Sequence, residues 1–372
     1  MVHSAIFCKL YFQGIRMKKS TIALFSLLTA SLLLSANVMA VPAITGSQKV
    51  VTPPTLLDWP DDFPGVEPYL TEPTANRLSD LHGEIGQCDI VFSTAGNYHM
   101  ALRELWQVYL TKYAKDLDIK TWYYTTSPPI SPQQVAKKTV QFGNLNMNCV
   151  PQVAVGPKKL IEKLQSMGVT DGAPVKIIKN RGNVMFVKKG NPKKIKTVWD
   201  LGRKDVTLVT PHPKMEAGSF GNFSGTVYNV AKNDPKPPAG MTAEKLFDKI
   251  YNQKDGGCNK KGKNCSWVTG KRIMHREQPW AVASGNADAG LIFYHLALYF
   301  TRTFPDKFEI VPLGGTAEDP KPAKGNKVGV LQAVRIKGNW TDKQKKATEK
   351  LMEALQSDEF TKILNKHGMD RP

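Results

Sequence analysis

Residues 86–110 read GQCDIVFSTAGNYHMALRELWQVYL, and this stretch decides how the rest of the chain is interpreted. A short apolar run that ends at Phe92 is followed by small and polar residues, and apolar residues then recur at helical spacing from Leu102 to Leu110. The pattern predicts a strand, a tight turn and a helix N-terminus, whose unpaired N–H groups favour an anionic or polar ligand. An ordinary strand–helix joint without a ligand has the same pattern.

The beginning of the chain has the pattern of an export signal. Residues 1–16 precede a second methionine and are interpreted as an over-called start. Residues 17–40 open with two lysines after that methionine, continue with an apolar core and end in small residues. This order is typical of a secretory signal peptide, so we expect cleavage after about Ala40 and a periplasmic protein. Residues 41–85 are rich in proline and are interpreted as an N-terminal extension over the surface.

The charge balance is strongly basic, with 51 lysine and arginine residues against 32 acidic residues and a net charge of +19. Such a chain attracts anions in general. The lysine runs are also compatible with ordinary solvated surface. The sequence lacks interleaved basic and aromatic residues, zinc-ligand spacing and a recognition-helix pattern, so we expect no nucleic-acid partner.

The cysteines of the exported part predict disulfides. Cys258 and Cys265 flank a polar loop, while Cys88 and Cys149 each begin an apolar run. An even number of cysteines in an oxidising compartment favours paired thiols. We therefore predict the bridges Cys88–Cys149 and Cys258–Cys265.

The order of predicted elements indicates an α/β protein. Strand-like runs alternate with amphipathic helices, which favours sheets dominated by parallel pairing with helices on both faces. A helix is predicted to start at Ser131, which acts as N-cap before Pro132. Residues 175–188 read as two strands around a turn at Asn180. Residues 233–272, which contain the Cys258–Cys265 loop, are predicted to be a polar surface insertion.

Four segments in this order resemble the type II periplasmic solute-binding proteins of ABC importers, and most closely their molybdate-binding branch. They are VFSTAGNYHMAL (91–102), NRGNVMFVKKGNPKKIKTVWDL (180–201), VTLVTPHPKMEAGSF (206–220) and AVASGNADAGLIFY (281–294). The resemblance spans roughly residues 88–369, less the insertion. It implies two α/β lobes with a ligand cleft between them. Lobe 1 would comprise residues 86–182 plus 312–372, and lobe 2 residues 183–311.

The resemblance also implies a set of ligand-binding residues. Clefts of this type hold anions by backbone N–H groups at helix starts and by hydroxyls. Carried over position by position, the set is Ala95, Gly96, Asn97 and Ser131 from one lobe, and Ala217, Gly218, Ser219, His275, Arg276, Phe293 and Tyr294 from the other.

The first loop departs from the molybdate-binding pattern. The serine of that pattern falls on Gly96, and Asn97 stands where a leucine is usual. Histidines and one carboxylate lie on the presumed loop tips instead, and such groups can bind transition metals or act as pH-sensitive donors. A metal site on His99, Glu216, His275 and His295 is therefore an alternative, and histidines that cap helices or bond within the core are another.

The motifs of common enzymes are absent from the sequence. It contains no G-x-S-x-G, H-E-x-x-H, P-loop or Rossmann glycine pattern, so we expect neither an enzyme nor a cofactor. The predicted function is capture of a small anion, such as a molybdate-like or tungstate-like oxyanion, by a monomeric binding protein that delivers it to an ABC-type membrane permease. A binding protein for a metal or metal chelate and a ligand-sensing accessory protein are the alternatives.

Overall fold

The computed structural model describes residues 89–119, 124–126, 130–142, 145–147, 150–214, 216–251, 266–269 and 273–372. The predicted signal peptide, the N-terminal extension and the four cysteines of the predicted disulfides lie outside these residues. Within the described ranges, no helix has the length and apolar character needed to cross a membrane.

The described strands are short except where they connect the two sheets. They are β1 Phe92–Ala95, β2 Tyr124–Thr126, β3 Val140–Phe142, β4 Leu145–Met147, β5 Val153–Pro157, β6 Thr170–Asn180, β7 Asn183–Lys188, β8 Leu208–Val209, β9 Trp267–Val268, β10 Ala289–Phe293, β11 Phe308–Val311, β12 Val330–Ile336 and β13 Met369–Asp370.

The α-helices follow the strands along the chain. They are α1 His99–Val108, α2 Pro132–Ala136, α3 Lys158–Ser166, α4 Ala217–Lys232, α5 Ala243–Tyr251, α6 Met274–Ala283, α7 Tyr294–Thr303, α8 Asp342–Ala354 and α9 Asp358–Lys366. A 3-10 turn, Gly96–Tyr98, precedes α1, and a π-helical segment, Tyr109–Tyr113, continues it.

Two mixed sheets organise these elements. The first has the strand order β13-β6-β12-β5-β1-β2 and the second β11-β7-β10-β8-β9, while β3 and β4 form a separate pair. The α/β class with two helix-covered sheets is thus confirmed. The expected dominance of parallel pairing is wrong, because β12 returns antiparallel between β5 and β6, and β7 lies antiparallel to both β10 and β11.

The first sheet is buried on both faces because its central strands are apolar throughout. Phe92 and Val153 pack in one cluster with residues of α1, α8 and α9. Val91 and Ala154 point to the other face and pack with residues of α3. Successive strand residues face opposite sides of a sheet, which explains why neighbours in sequence belong to different clusters.

Two local predictions are confirmed. Ser131 caps α2: its hydroxyl accepts the Gln134 N–H at 3.2 Å, and the Gln134 side chain accepts the Ser131 N–H at 3.1 Å. The turn at Asn180 separates β6 from β7 as expected, and Gly182 has a φ of +75°. That left-handed conformation is readily adopted by glycine, which has no Cβ.

The predicted insertion at 233–272 is only partly a surface segment. Leu246 and Ile250 of α5 are fully buried in the core of the second sheet. Trp267 lies in β9, which pairs with β8 and is also buried. The expectation of a surface insertion is therefore wrong for α5 and β9. The helical spacing of Leu246 and Ile250 is the one apolar pattern in this segment, and these residues form the buried side of α5.

Two connections join the sheets, one between β6 and β7 and one between β11 and β12. Asn183 and Asn326 hold them together through reciprocal hydrogen bonds. The Asn183 N–H donates to Asn326 Oδ1 at 2.9 Å, and Asn326 Nδ2 donates to the Asn183 carbonyl at 2.8 Å. We call this pair the asparagine clamp.

Replacing Asn326 with alanine removes both bonds of the clamp and leaves the buried N–H of Asn183 without its acceptor. We expect the free energy of unfolding to fall by about 2–3 kcal/mol. Asn365→Ala is the matched control, since Asn365 is exposed on α9 and alanine favours a helix. Urea denaturation of both variants measures the difference, and equal stabilities would contradict the importance of the clamp.

Candidate functional site

The loop after β1 passes directly into a helix start. β1 ends at Ala95, the 3-10 turn Gly96–Tyr98 follows, and α1 begins at His99. No side chain caps either helical segment, so their first N–H groups are not covered by a hydroxyl or carboxylate cap. Asn97 and Tyr98 are nevertheless buried. This turn lies at the carboxyl end of a strand that pairs in parallel on both sides, the usual place for ligands in α/β sheets.

The second sheet has an equivalent joint between β10 and α7. β10 ends at Phe293 and α7 starts at Tyr294, again without a side-chain cap. The Tyr294 N–H donates to the Gly182 carbonyl at 3.0 Å, and its hydroxyl donates to the Glu318 carbonyl at 3.1 Å. Burial raises the pKa of this hydroxyl. Tyr294 is therefore attached to both connections between the sheets.

His295 joins the two loops. Its Nε2 lies 3.0 Å from the Asn97 carbonyl oxygen. Its ring stacks on Tyr98 with centroids 5.0 Å apart and on Phe293 at 5.5 Å. We call the set Asn97, Tyr98, Phe293 and His295 the interloop contact. The structure thus brings together predicted site residues from both sheets.

The imidazole of the interloop contact is neutral. His295 is 1% exposed, and burial lowers its pKa to about 3, against a smaller opposing effect of the hydrogen bond to Asn97. A carbonyl oxygen can only accept, so Nε2 carries the hydrogen and Nδ1 is an acceptor. Burial likewise raises the pKa of Tyr98, although hydrogen bonds from the side chains of Asn180 and Asn97 partly offset this.

The start of α4 is the most open part of the predicted site. Ala217 and Gly218 are exposed, and Glu216 at the N-cap position makes no capping bond with its side chain. A Cβ built on Gly218 would meet no atom within 4 Å. Further along α4, the Phe223 ring contacts Phe293 with centroids 5.2 Å apart, which links this helix to the interloop contact.

The remaining predicted ligand residues have structural partners. The Ser131 hydroxyl is engaged in the capping box of α2, a helix of 5 residues. His275 is 3% exposed at the start of α6, and Arg276 beside it is half-buried.

The alternative metal site does not form in the structure. Glu216 Oε1 accepts the Met274 N–H at 3.3 Å and so covers the start of α6, while His295 Nε2 is directed to a carbonyl. Among the described residues, which include His99 and His275, no three His, Cys, Asp or Glu side chains are grouped so as to hold a metal ion. His295 bonds within the buried structure instead.

Asn180 was not selected from the sequence as a site residue. Its Oδ1 accepts the N–H groups of Gly182 at 3.0 Å and Gly329 at 2.9 Å, and its side chain also reaches Tyr98. Asn180 therefore links the interloop contact to both of the chain segments that join the two sheets. The Asn180-Arg-Gly turn was visible in the sequence, but the partners of the side chain lie far away in the chain.

Residues 150–370 match the profile of a family described as bacterial extracellular solute-binding proteins. This chain belongs to that family. The predicted resemblance to solute-binding proteins is confirmed, and the family assignment makes the chain a binding protein and not an enzyme. No curated protein matches the sequence.

Solved structures with a similar fold include several binding proteins. Peb3 of Campylobacter jejuni is 14% identical over 76% of this chain and 100% of that chain, with a TM-score of 0.45. The molybdate-binding protein of Azotobacter vinelandii is 16% identical over 76% and 99%, with a TM-score of 0.48. The sulfate-binding protein of Mycobacterium tuberculosis is 12% identical over 76% and 85%, with a TM-score of 0.45. The family assignment rests on the sequence match alone.

The buried neutral imidazole predicts loss of stability in acid. The pKa of His295 is about 3 in the folded protein and 6.5 in the reference state, so below pH 6.5 the unfolded chain takes up a proton that the folded protein does not. Stability present above pH 6.5 is lost as the pH falls. Between pH 7 and pH 4.5 this one group should remove about 2–3 kcal/mol.

Urea denaturation at the two pH values tests this in the wild type and in His295→Gln. Glutamine keeps an N–H donor for the Asn97 carbonyl and does not titrate, so the variant should lose less stability than the wild type. His367, whose pKa is also lowered by burial, is unchanged in both proteins. An equal loss in the two proteins would show that His295 is not the titrating group.

Proposed function

We propose that this protein captures a small anion in a cleft between two lobes and delivers it to the membrane permease of an ABC importer. The observation that carries the proposal is the exposed, uncapped start of α4, with open space around Gly218. N–H groups and the helix dipole at such a start attract negative charge. The net charge of +19 supports the same sign of ligand.

The proposed lobes follow the two sheets. Lobe 1 comprises residues 86–182 plus 312–372, and lobe 2 comprises residues 183–311. Every described strand of the first sheet belongs to the first set, and every described strand of the second sheet belongs to the second. The connections at 181–182 and 312–329 are then the hinge on which the lobes open and close around the ligand.

The proposed ligand groups come from both lobes. The turn at residues 95–97 supplies backbone donors from lobe 1, and residues 217–219 supply them from lobe 2. Phe293 and Tyr294 border the interloop contact. Ser131, His275 and Arg276 complete the proposed set, with Arg276 the one residue in it whose side chain carries a fixed positive charge.

The same proposal includes export and a periplasmic location. The signal-like pattern at residues 17–40 supports it, as does the description of the family as extracellular. We further propose that the mature protein is a monomer. A molybdate-like oxyanion is the ligand that the sequence resemblance implies, and it is therefore among the probes.

Gly218→Asp tests the role of the α4 start. The new carboxylate fits the open space and stabilises a helix N-terminus, but it also repels an anion bound there. Gly218→Asn is the matched neutral control. Thermal shift measurements should use molybdate, tungstate, sulfate, phosphate, a phosphonate and short carboxylates as probes. For the probe that binds, we expect Gly218→Asp to weaken binding at least tenfold and Gly218→Asn to bind nearly as the wild type does.

A bound probe at about 100 times its Kd should stabilise the wild type by about 2.7 kcal/mol. Absence of a shift with every anion would overturn the proposed function. If both variants bind as the wild type does, the anion does not lie at the start of α4.

Thiol titration tests the proposed disulfides. The mature protein in denaturant should expose no free thiol, and reduction should release four, since Cys8 is the single cysteine within residues 1–40. A reactive thiol before reduction would contradict one of the bridges Cys88–Cys149 and Cys258–Cys265.

A further inference from the structure

Two residues of the interloop contact, Asn97 and His295, and one residue of β1, Thr94, contain buried polar atoms that the protein itself does not satisfy. Among the described residues, Asn97 Oδ1, His295 Nδ1 and Thr94 Oγ1 are buried and have no hydrogen-bond partner. Asn97 is 9% exposed, His295 1% and Thr94 0%. Nearly all buried polar atoms in proteins are hydrogen-bonded, so these unpaired atoms require an explanation.

These atoms share one chemical property. Nδ1 of His295 is an acceptor because Nε2 donates to the Asn97 carbonyl, and burial keeps the ring neutral. Asn97 Oδ1 accepts only, and the Thr94 hydroxyl can accept as well as donate. A ligand that meets these atoms must therefore provide hydrogen.

The position of these atoms agrees with the proposed cleft. Thr94 and Asn97 lie at the carboxyl end of β1, and His295 lies just after the carboxyl end of β10. Thr94 and Asn97 border the helix start after β1 that would bind negative charge. The ligand would thus meet N–H donors on one side and acceptors on the other. Since the acceptors are buried, the two loops must part before the ligand can reach them.

We propose that the ligand is an anion that keeps a hydrogen-bond donor, an O–H or N–H group, and not a fully deprotonated oxyanion such as molybdate or sulfate. The inference rests on the proposed function and specifies its ligand class. Asn97 and His295 are the residues that accept a hydrogen bond from the donor group of the ligand. A site built to accept such a hydrogen rejects analogues that lack it by large factors, because its acceptors are left unpaired.

Matched pairs of probes test the inference in the full mature protein by calorimetric titration at neutral pH. Phosphate keeps a proton that sulfate of the same shape lacks. Lactate has a hydroxyl that its O-methyl ether lacks, and aspartate has an ammonium group that succinate lacks. We expect the donor-bearing member of at least one pair to bind at least tenfold more tightly than its partner. The pair that shows this difference in affinity identifies the ligand as an inorganic anion, a hydroxy acid or an amino acid.

Asn97→Leu removes the side-chain acceptor and keeps the backbone carbonyl that bonds to His295. The wild type's preference for the donor-bearing probe should fall below threefold in this variant. The thermal unfolding transition of the variant without ligand shows that it folds. If the variant does not fold, the comparison of paired probes in the wild type still tests the inference.

The results separate the two proposals. Binding of molybdate or sulfate as tightly as any donor-bearing probe would overturn the inference and leave the proposed function intact. Equal affinities of the two probes within every pair would also overturn the inference and leave the proposed function intact. No binding of any anion would overturn the proposed function itself.

Discussion

The asparagine clamp between Asn183 and Asn326 is the constraint on which the arrangement of the two sheets depends. The first connection is the short turn between β6 and β7, and the second is the segment between β11 and β12 that contains Asn326. The reciprocal amide–backbone bonds fix one connection against the other. Asn180 adds bonds to Gly182 and Gly329 from the same region, and Asn183 Nδ2 bonds to Asn222 and Thr226 of α4. These hydrogen bonds therefore fix the two connections to each other and also fix α4 to them.

The proposed recognition of the ligand combines two opposite polarities. The helix starts after β1 and β8 offer N–H groups, which suit negative charge. The interloop contact offers acceptors, which suit a ligand hydrogen. A fully deprotonated anion satisfies the first set and leaves the second unpaired. A ligand with a charged end and a donor satisfies both, so selectivity follows from the number of paired atoms and does not need a buried countercharge.

The sequence allowed good prediction of features that depend on neighbouring residues. The start of α2 at Ser131 and Pro132, the turn at Asn180 and the strand–turn–helix order of residues 92–108 are all local patterns. Features that depend on distant pairing were not predictable in the same way. The position of β12 between β5 and β6 joins segments more than a hundred residues apart, and no period within either segment indicates it. The short strand at Trp267 likewise becomes evident only through its pairing with β8.

The candidate site shows the same limit at the level of side chains. Glu216 and His295 have the residue types of metal ligands, but the sequence could not show that Glu216 covers the start of α6 and that His295 bonds to a carbonyl. The second of these bonds has a consequence for the evolution of the protein. Its acceptor is the backbone oxygen of Asn97, which remains whatever side chain occupies the position. Selection can therefore change the side chain at position 97 without losing the hydrogen bond between the two loops.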